Sequence, residues 1–276
     1  MKFLSICTPT YEMGGHGHVF VRYSFDILTN QTFKDFEVII SDHSKDDMIK
    51  NLCDEYKDKL DIHYHRTEVV GSSYNTNNAI RNAQGKLIKI LFEDDFLYHE
   101  NALKDVVENF DLEKDTWMIT ACEHYKESEG VFYKPFYPVY NDKIHLGENT
   151  ISAPSVLTIK NNNPVFFDEK LIWFMDCDYY KRCYEKFGPP KILNKINVVN
   201  RIGSHQIINW AATKKVRGEE YVYLLEKYGE EKLLKEYNRK MKIRQIIQAI
   251  YKLTPRFLKD VVKSLYSPIK KFLKNT

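Results

Sequence analysis

Two rhythms alternate through the first hundred residues. Short strand-like runs fall at residues 2–8, 36–41, 62–66 and 87–92, three of them apolar enough to be covered on both faces. Residues 19–30, 48–60, 72–83 and 101–110 instead carry apolar positions at helical spacing, as in Phe20, Tyr23, Ile27 and Leu28. Strand and helix in strict alternation predict an α/β chain with a mostly parallel sheet flanked by helices. Ligands of such sheets bind beyond the carboxyl ends of the strands. Three polar clusters belong there: Thr8-Pro9-Thr10, Asp42 and Glu93-Asp94-Asp95. Beyond about Trp117 the alternation weakens into a strand at 117–125 and an aromatic, proline-interrupted stretch at 131–140 suited to lining a groove. A helix at 176–187, stopped by Gly188-Pro189-Pro190, and a late strand at 192–199 follow.

The 276 residues are 43% hydrophobic and 14% aromatic, which suits a globular chain with one large core or two modest ones. Cys7, Cys53, Cys122, Cys177 and Cys183 are scattered without a C-x-x-C pair, and so read as reduced residues and not as a disulfide framework or zinc site. The N-terminal apolar run is too short for a signal peptide, and no stretch approaches the roughly 18 apolar residues of a spanning helix. The expected location is cytoplasmic, with peripheral attachment to the cytoplasmic face of a membrane as the alternative.

Charge changes the picture at the C-terminus. Residues 239–276 hold eleven Lys/Arg and one acid, Asp260, against 30 bases and 37 acids in the preceding 238 residues. Ile243, Ile246, Ile247, Ile250 and Leu253 line one helical face. After Thr254-Pro255, a second stripe runs through Phe257, Leu258, Val261, Val262, Leu265 and Tyr266. Residues 241–276 therefore read as a basic amphipathic helical tail for an anionic membrane surface, or as helices packed on protein. The apolar stripes exceed what phosphate binding needs, so no nucleic-acid partner is expected.

Three adjacent carboxylates, Glu93, Asp94 and Asp95, suit a solvated turn, a helix N-terminus, or a site for a hard cation such as Mg²⁺ or Mn²⁺. Asp176 opens a helix, where it is either the cap or a general base. Asp178, one turn before Arg182, is the second base candidate or that arginine's ion-pair partner. The glycine-rich segment from Tyr11 to Phe20 reads as a mobile loop beside a substrate or as a plain surface loop. His16 and His18 lack a third ligand nearby. His205 is either a structural histidine or a site residue, and Lys214, Lys215 and Arg217 form a phosphate clamp or a solvated turn.

Taken in order, Thr8-Pro9-Thr10-Tyr11, the run from Gln31 to Asp42, Asn77 with Gly85, Glu93-Asp94-Asp95 and the stretch 173–182 resemble family 2 glycosyltransferases of the GT-A fold. The resemblance implies transfer of a sugar with inversion from a nucleotide-sugar donor, UDP-linked by preference, assisted by Mn²⁺ or Mg²⁺. The acceptor would be a glycan, lipid-linked or protein hydroxyl. It implies donor contacts from Thr8, Pro9, Tyr11, Asp42, Asn77 and Asp94, with Asp42 on the base. Metal contacts would come from Asp95, Glu93 and His205, and Asp176 would be the catalytic base. Two positions depart from the family pattern: Phe92 stands where an aspartate is common, leaving Glu93 as the leading acid, and His43 follows Asp42 where a second aspartate is common. The domain reading is a catalytic domain over 1–238, with a nucleotide-binding half to about 115, an acceptor half over about 116–217 and a helical extension to 238. The tail occupies 239–276. A non-catalytic nucleotide- or sugar-binding module on the same fold is the alternative, whereas a phosphohydrolase would need an Asp-x-Asp-x-Thr arrangement that is missing.

Overall fold

The computed structural model describes residues 2–206 and 211–254. Strands β1 (Leu4–Thr10), β2 (Phe36–Asp42), β3 (Ile62–Arg66) and β4 (Leu87–Ile90) pair in parallel in the order β3-β2-β1-β4. Helices α1 (Gly17–Thr29), α2 (Met48–Tyr56) and α3 (Ser72–Asn82) make the crossovers. Every residue of β1, β2 and β4 is buried, which is why their sequences run apolar without alternation. The chain leaves β1 toward β2 on one side and returns to β4 on the other. That reversal opens a crevice at the carboxyl ends of β1 and β4.

The second half of the sheet is mixed. After β5 (Phe96–Leu97) and α4 (Ala102–Asn109) come the long β6 (Trp117–Lys126) and the short β7 (Val131–Phe132). They are followed by β8 (Leu157–Lys160), α5 (Met175–Phe187) and β9 (Lys191–Ile202). β8 lies antiparallel between β4 and β6, β9 runs parallel to β6, and β5 closes the edge antiparallel to β9. Four-residue β8 and two-residue β5 are too short to carry a period, and neither is expected from the sequence.

Pro9 corrects the sequence expectation that β1 ends before it. The residue lies inside β1, opposite Ser41 of β2. β4 pairs only as far as Cys7, so no neighbour on that side requires an amide hydrogen from Pro9. The core is aromatic where the halves meet: Phe167 stacks on Tyr179 at 4.0 Å, and the Trp117 indole N–H donates to the Gly188 carbonyl at 2.9 Å. All five cysteines are buried and free.

The chain divides into two compact units between Tyr221 and Val222. Helix α6 (Lys214–Lys227) spans that point and α7 (Glu231–Leu253) follows, running through residue 239, where the basic tail begins. The first apolar stripe of the tail falls within α7, where Ile246 is 59% exposed. The second stripe, from Phe257 to Tyr266, lies outside the described residues. No described helix is long and apolar enough to cross a membrane.

At the amino end of the sheet, Glu37 accepts from Ser5 Oγ at 2.6 Å, from Gln84 N at 2.8 Å and from Gly85 N at 3.1 Å. A Cβ on Gly85 would stand 2.7 Å from Ser5 N, so backbone meets backbone there. Gly85→Ala is expected to destabilise the fold by about 2 kcal/mol or more through overpacking, read as a lower midpoint in urea unfolding at unchanged slope.

Candidate active site

The acidic turn after β4 is assembled by partners from elsewhere in the sheet. Asp95, nearly buried, accepts from Asn200 Nδ2 at 2.9 Å and from Arg201 N at 3.2 Å, both on β9. Burial, with the charge of Asp94 adding to it, pushes the Asp95 pKa up against hydrogen bonds from Ser155, Arg201 and Asn200. Glu93 faces the opposite way and accepts from Tyr11 N at 3.2 Å. Its pKa is also raised, by burial first and then by Asp94. Gly17, at the start of α1, is required here: a Cβ would lie 2.1 Å from the Tyr11 carbonyl oxygen and 3.2 Å from Glu93 Oε2. The glycine-rich loop thus closes over the acidic turn.

Asp94 is the acid of the three left partly open. Its Oδ2 lies 3.3 Å from His205 Nε2, and His205 Nδ1 lies 3.4 Å from Glu127 Oε2. Burial pulls the His205 pKa down, but the hydrogen bond to Asp94 and the charges of Asp94 and Glu127 outweigh it and raise the pKa above the ordinary imidazole value. Among the described residues no three His, Cys, Asp or Glu side chains converge as a closed ligand cage. A hard divalent ion shared with a diphosphate needs only one or two protein ligands, the phosphates and waters supplying the rest. Asp94 and His205 fit that requirement.

Behind the turn stand two cations that the sequence did not single out. Lys89, fully buried in β4, directs its ammonium at the carbonyls of Ser155, Ile90 and Leu157, and burial holds its pKa down to about 7. Ser155 Oγ in turn accepts from Phe92 N at 2.9 Å. Arg201 places its guanidinium 4.7 to 5.8 Å from the rings of Phe20, Tyr23, Phe96 and Tyr125, and its Nε donates to the Asp94 carbonyl at 3.0 Å.

The nucleotide-side candidates divide. Thr8 and Pro9 lie at the carboxyl end of β1 opposite Ile40 and Ser41, and Tyr11 stacks on His43 with ring centres 5.3 Å apart. Asp42 has no exposed surface. Its Oδ1 accepts from Thr10 Oγ1, Ser44 N and Ser44 Oγ, and its Oδ2 from Tyr64 OH at 2.6 Å. Asn77 is not brought to this cluster: its amide clasps Phe167 and Glu169 on the other side of α3. Two residues along a helix turn the side chain to nearly the opposite face, so Asn75 points inward instead, donating to the Thr10 carbonyl at 2.9 Å and lying 3.0 Å from His43 Nδ1. The polar run Asn75-Thr76-Asn77-Asn78 was the available signal, without the phase to choose among its members.

Asp176 sits in the first turn of α5, partly open to solvent. Asn149 Nδ2 donates to its Oδ2 at 2.7 Å and Cys177 N to its Oδ1 at 2.7 Å. Burial pushes its pKa up to about 6 against those hydrogen bonds. Asp178 is fully buried in an ion pair with Arg182 at 2.7 Å, the structural half of its sequence reading. Just before α5, the backbone N–H groups of Ile172, Trp173 and Phe174 donate to the Glu220 carboxylate at 2.8, 2.9 and 3.0 Å. Nothing in the local sequence marks Glu220 or Asn149, because both act across long stretches of chain.

Sheet order and crossovers match the GT-A fold. S. aureus TarS, solved with UDP-GlcNAc, superposes with a TM-score of 0.60 at 19% identity, covering 82% of this chain and 64% of that one. The mannosyltransferase PcManGT of Pyrobaculum calidifontis, solved with GDP-Man and Mn²⁺, superposes at 0.56 with 13% identity, over 99% and 83% of the two chains. At these identities the likeness concerns the fold. In sequence, an uncharacterised glycosyltransferase of Rickettsia typhi is 25% identical over 193 residues, covering 64% of this chain; the chain spans 57% of that relative's length. The chain belongs to glycosyl transferase family 2, whose description matches residues 5–155.

The hydrogen bond from Asn149 favours ionised Asp176, so its loss must raise the pKa. In Asn149→Ala, the Asp176 carboxyl should half-titrate about one pH unit above the wild-type value, equivalent to about 1.4 kcal/mol. Carbon-detected NMR titration of that side chain reads it directly.

Proposed function

We propose that the chain transfers a sugar, with inversion, from a nucleotide-sugar donor to an acceptor hydroxyl, and that Asp176 is the general base. The observation that carries this reading is a partly exposed carboxylate in the first turn of α5, aligned by Asn149 Nδ2 and Cys177 N, within the same compact unit as an acidic turn that pairs Asp94 with His205. A base must be ionised at working pH yet basic enough to take a proton, and a pKa of about 6 meets both needs. Asp176 removes the proton of the acceptor hydroxyl as that oxygen bonds to the anomeric carbon. The bond from that carbon to the diphosphate oxygen breaks, and the nucleoside diphosphate departs with the electron pair.

Asp94 and His205 are the residues that would hold Mn²⁺ or Mg²⁺, with Asp95 and Glu93 behind them. The ion would neutralise charge developing on the departing diphosphate. Thr8, Pro9, Tyr11, His43 and Asn75 form the donor side, and a UDP-linked donor is the preferred form. Fully buried Asp42 contributes by aligning Thr10, Ser44 and Tyr64 on the nucleobase side of the donor. Exposed Phe132, Tyr133 and Tyr137 form the acceptor side, since flat aromatic faces suit the apolar faces of a glycan.

Asp176→Asn should lower the transfer rate by about 10²-fold or more while leaving nucleotide affinity nearly unchanged. A loss confined to donor KM would remove the base assignment. Because the base works deprotonated, wild-type kcat should rise as pH increases through about 6 and then level off. Asp94→Asn should weaken Mn²⁺-dependent nucleoside diphosphate binding in calorimetry by about tenfold or more, whereas unchanged binding at limiting Mn²⁺ would sink the metal reading. The basic tail supports attachment to an anionic surface: the full chain should co-sediment with vesicles containing anionic lipid and leave them in high salt. Equal binding to neutral vesicles, or none to either, would count against a membrane role.

A further inference from the structure

The proposed base and the acidic turn are joined by one residue. Ser152 has φ +96°, beyond the small left-handed region in which Met13 (φ 45°) and Asn163 (φ 56°) lie. A side chain at such an angle is strained and persists only where its surroundings hold it. Ser152 is held on every polar atom. Its N–H donates to Asn149 Oδ1 at 3.0 Å, and its carbonyl accepts from Asn149 Nδ2 and from Tyr180 OH, each at 3.2 Å. Its Oγ accepts from Cys122 Sγ at 3.3 Å and donates to Asn200 Oδ1 at 3.1 Å.

Those bonds decide which way two amides face. Asn149 Oδ1 already accepts from Ile151 N and Ser152 N, so only its Nδ2 is left to meet Asp176. Asn200 Oδ1 accepts from Ser152 Oγ, so its Nδ2 is turned toward Asp95. The Asp95 carboxylate accepts only, so Asn200 must give it the Nδ2, and without the serine hydroxyl the Asn200 Oδ1 loses the donor that anchors the amide to the Ser152 segment. The chain Asp176–Asn149–Ser152–Asn200–Asp95 therefore runs unbroken from the base to the turn.

We propose that Ser152 is a positioning residue whose strained backbone and hydroxyl set Asp176 and Asp95 relative to each other. The proposal rests on the transferase reading above. Strain and function separate in substitution. Ser152→Gly relieves the backbone but removes the hydroxyl, Ser152→Ala removes the hydroxyl and keeps the strain, and Ser152→Thr keeps both.

The test measures kcat and donor KM by release of UDP from a panel of UDP-sugars, and melting temperature, for the three variants, with Asp176→Asn alongside. Ser152→Gly should melt at or above the wild-type temperature yet lose about tenfold or more in kcat, the scale expected when a reacting group is misplaced, with donor KM nearly unchanged. Ser152→Ala should lose the same activity and melt lower, and Ser152→Thr should recover most of kcat despite melting lower. Wild-type kcat in Ser152→Gly, or losses that follow melting temperature across the series, would overturn the proposal. If wild type transfers no sugar or Asp176→Asn is fully active, the transferase reading fails instead. NMR titration of Asp176 then still decides the coupling: a displaced titration in Ser152→Gly supports it, and an unmoved one refutes it.

Discussion

Asp95 lies almost wholly out of water at the end of the central sheet, and a carboxylate there is tolerable only if donors reach it. Two of its donors, Asn200 Nδ2 and Arg201 N, are on β9, more than a hundred residues later in the chain. This requirement ties the two halves of the sheet together at the crevice. β9 can deliver its donors because it pairs with β6 through a register shift at Thr120–Cys122 and then runs on to Ile202. The same stretch delivers the Arg201 side chain among four rings, so a charge near the acids is held by aromatic faces and by the Asp94 carbonyl. Lys89 answers the same constraint from below by fastening the Ser155 segment. Burial of each acid raises its proton affinity, and each added donor or cation lowers it again.

The contrast between Asp176 and Asp178 follows from the same balance. The two acids share the first turn of α5 and the favourable end of its dipole. Asp178 faces inward, meets Arg182 one turn on, and becomes part of the packing. Asp176 is partly exposed, has neutral donors only, and burial pushes its pKa up to about 6. Two chemically identical groups thus acquire different environments from their neighbours. Glu220 secures the segment before them by collecting three consecutive backbone N–H groups, so the turn that presents Asp176 is tied to α6 as well as to its own helix.

Aromatic residues serve two ends. Phe167, Tyr179, Tyr180 and Trp117 are buried and weld α5 to the sheet, while Phe132, Tyr133 and Tyr137 stand in solvent. The exposed set follows β6 along a segment whose backbone bonds at Tyr133, Phe136 and Val139 keep it extended beside the sheet. Prolines at 135 and 138 limit further pairing to the single bridge between Cys122 and Phe136, and the three rings remain about half exposed.

The parallel half of the fold was legible because its strands are covered on both faces and its helices on one; burial writes a period into the sequence wherever an element is long enough. The places of the acidic turn, after a core strand, and of the acid opening α5 were legible too, although the residues alone left a solvated turn and a helix cap open. The short strands β5 and β8 were not, having too few residues for a period. The occupants of the site were also not legible: Asn75 over Asn77, Arg201 over a generic polar stretch, Asn149 and Glu220 at all. Each is selected by a helical phase or by a hydrogen bond spanning tens of residues. The sequence by itself determined which segments are buried and where acids gather. Only the tertiary structure decided which acid stays open, which is locked in an ion pair and which donors meet it, because a side chain's partners are set by three-dimensional proximity and not by its place along the chain.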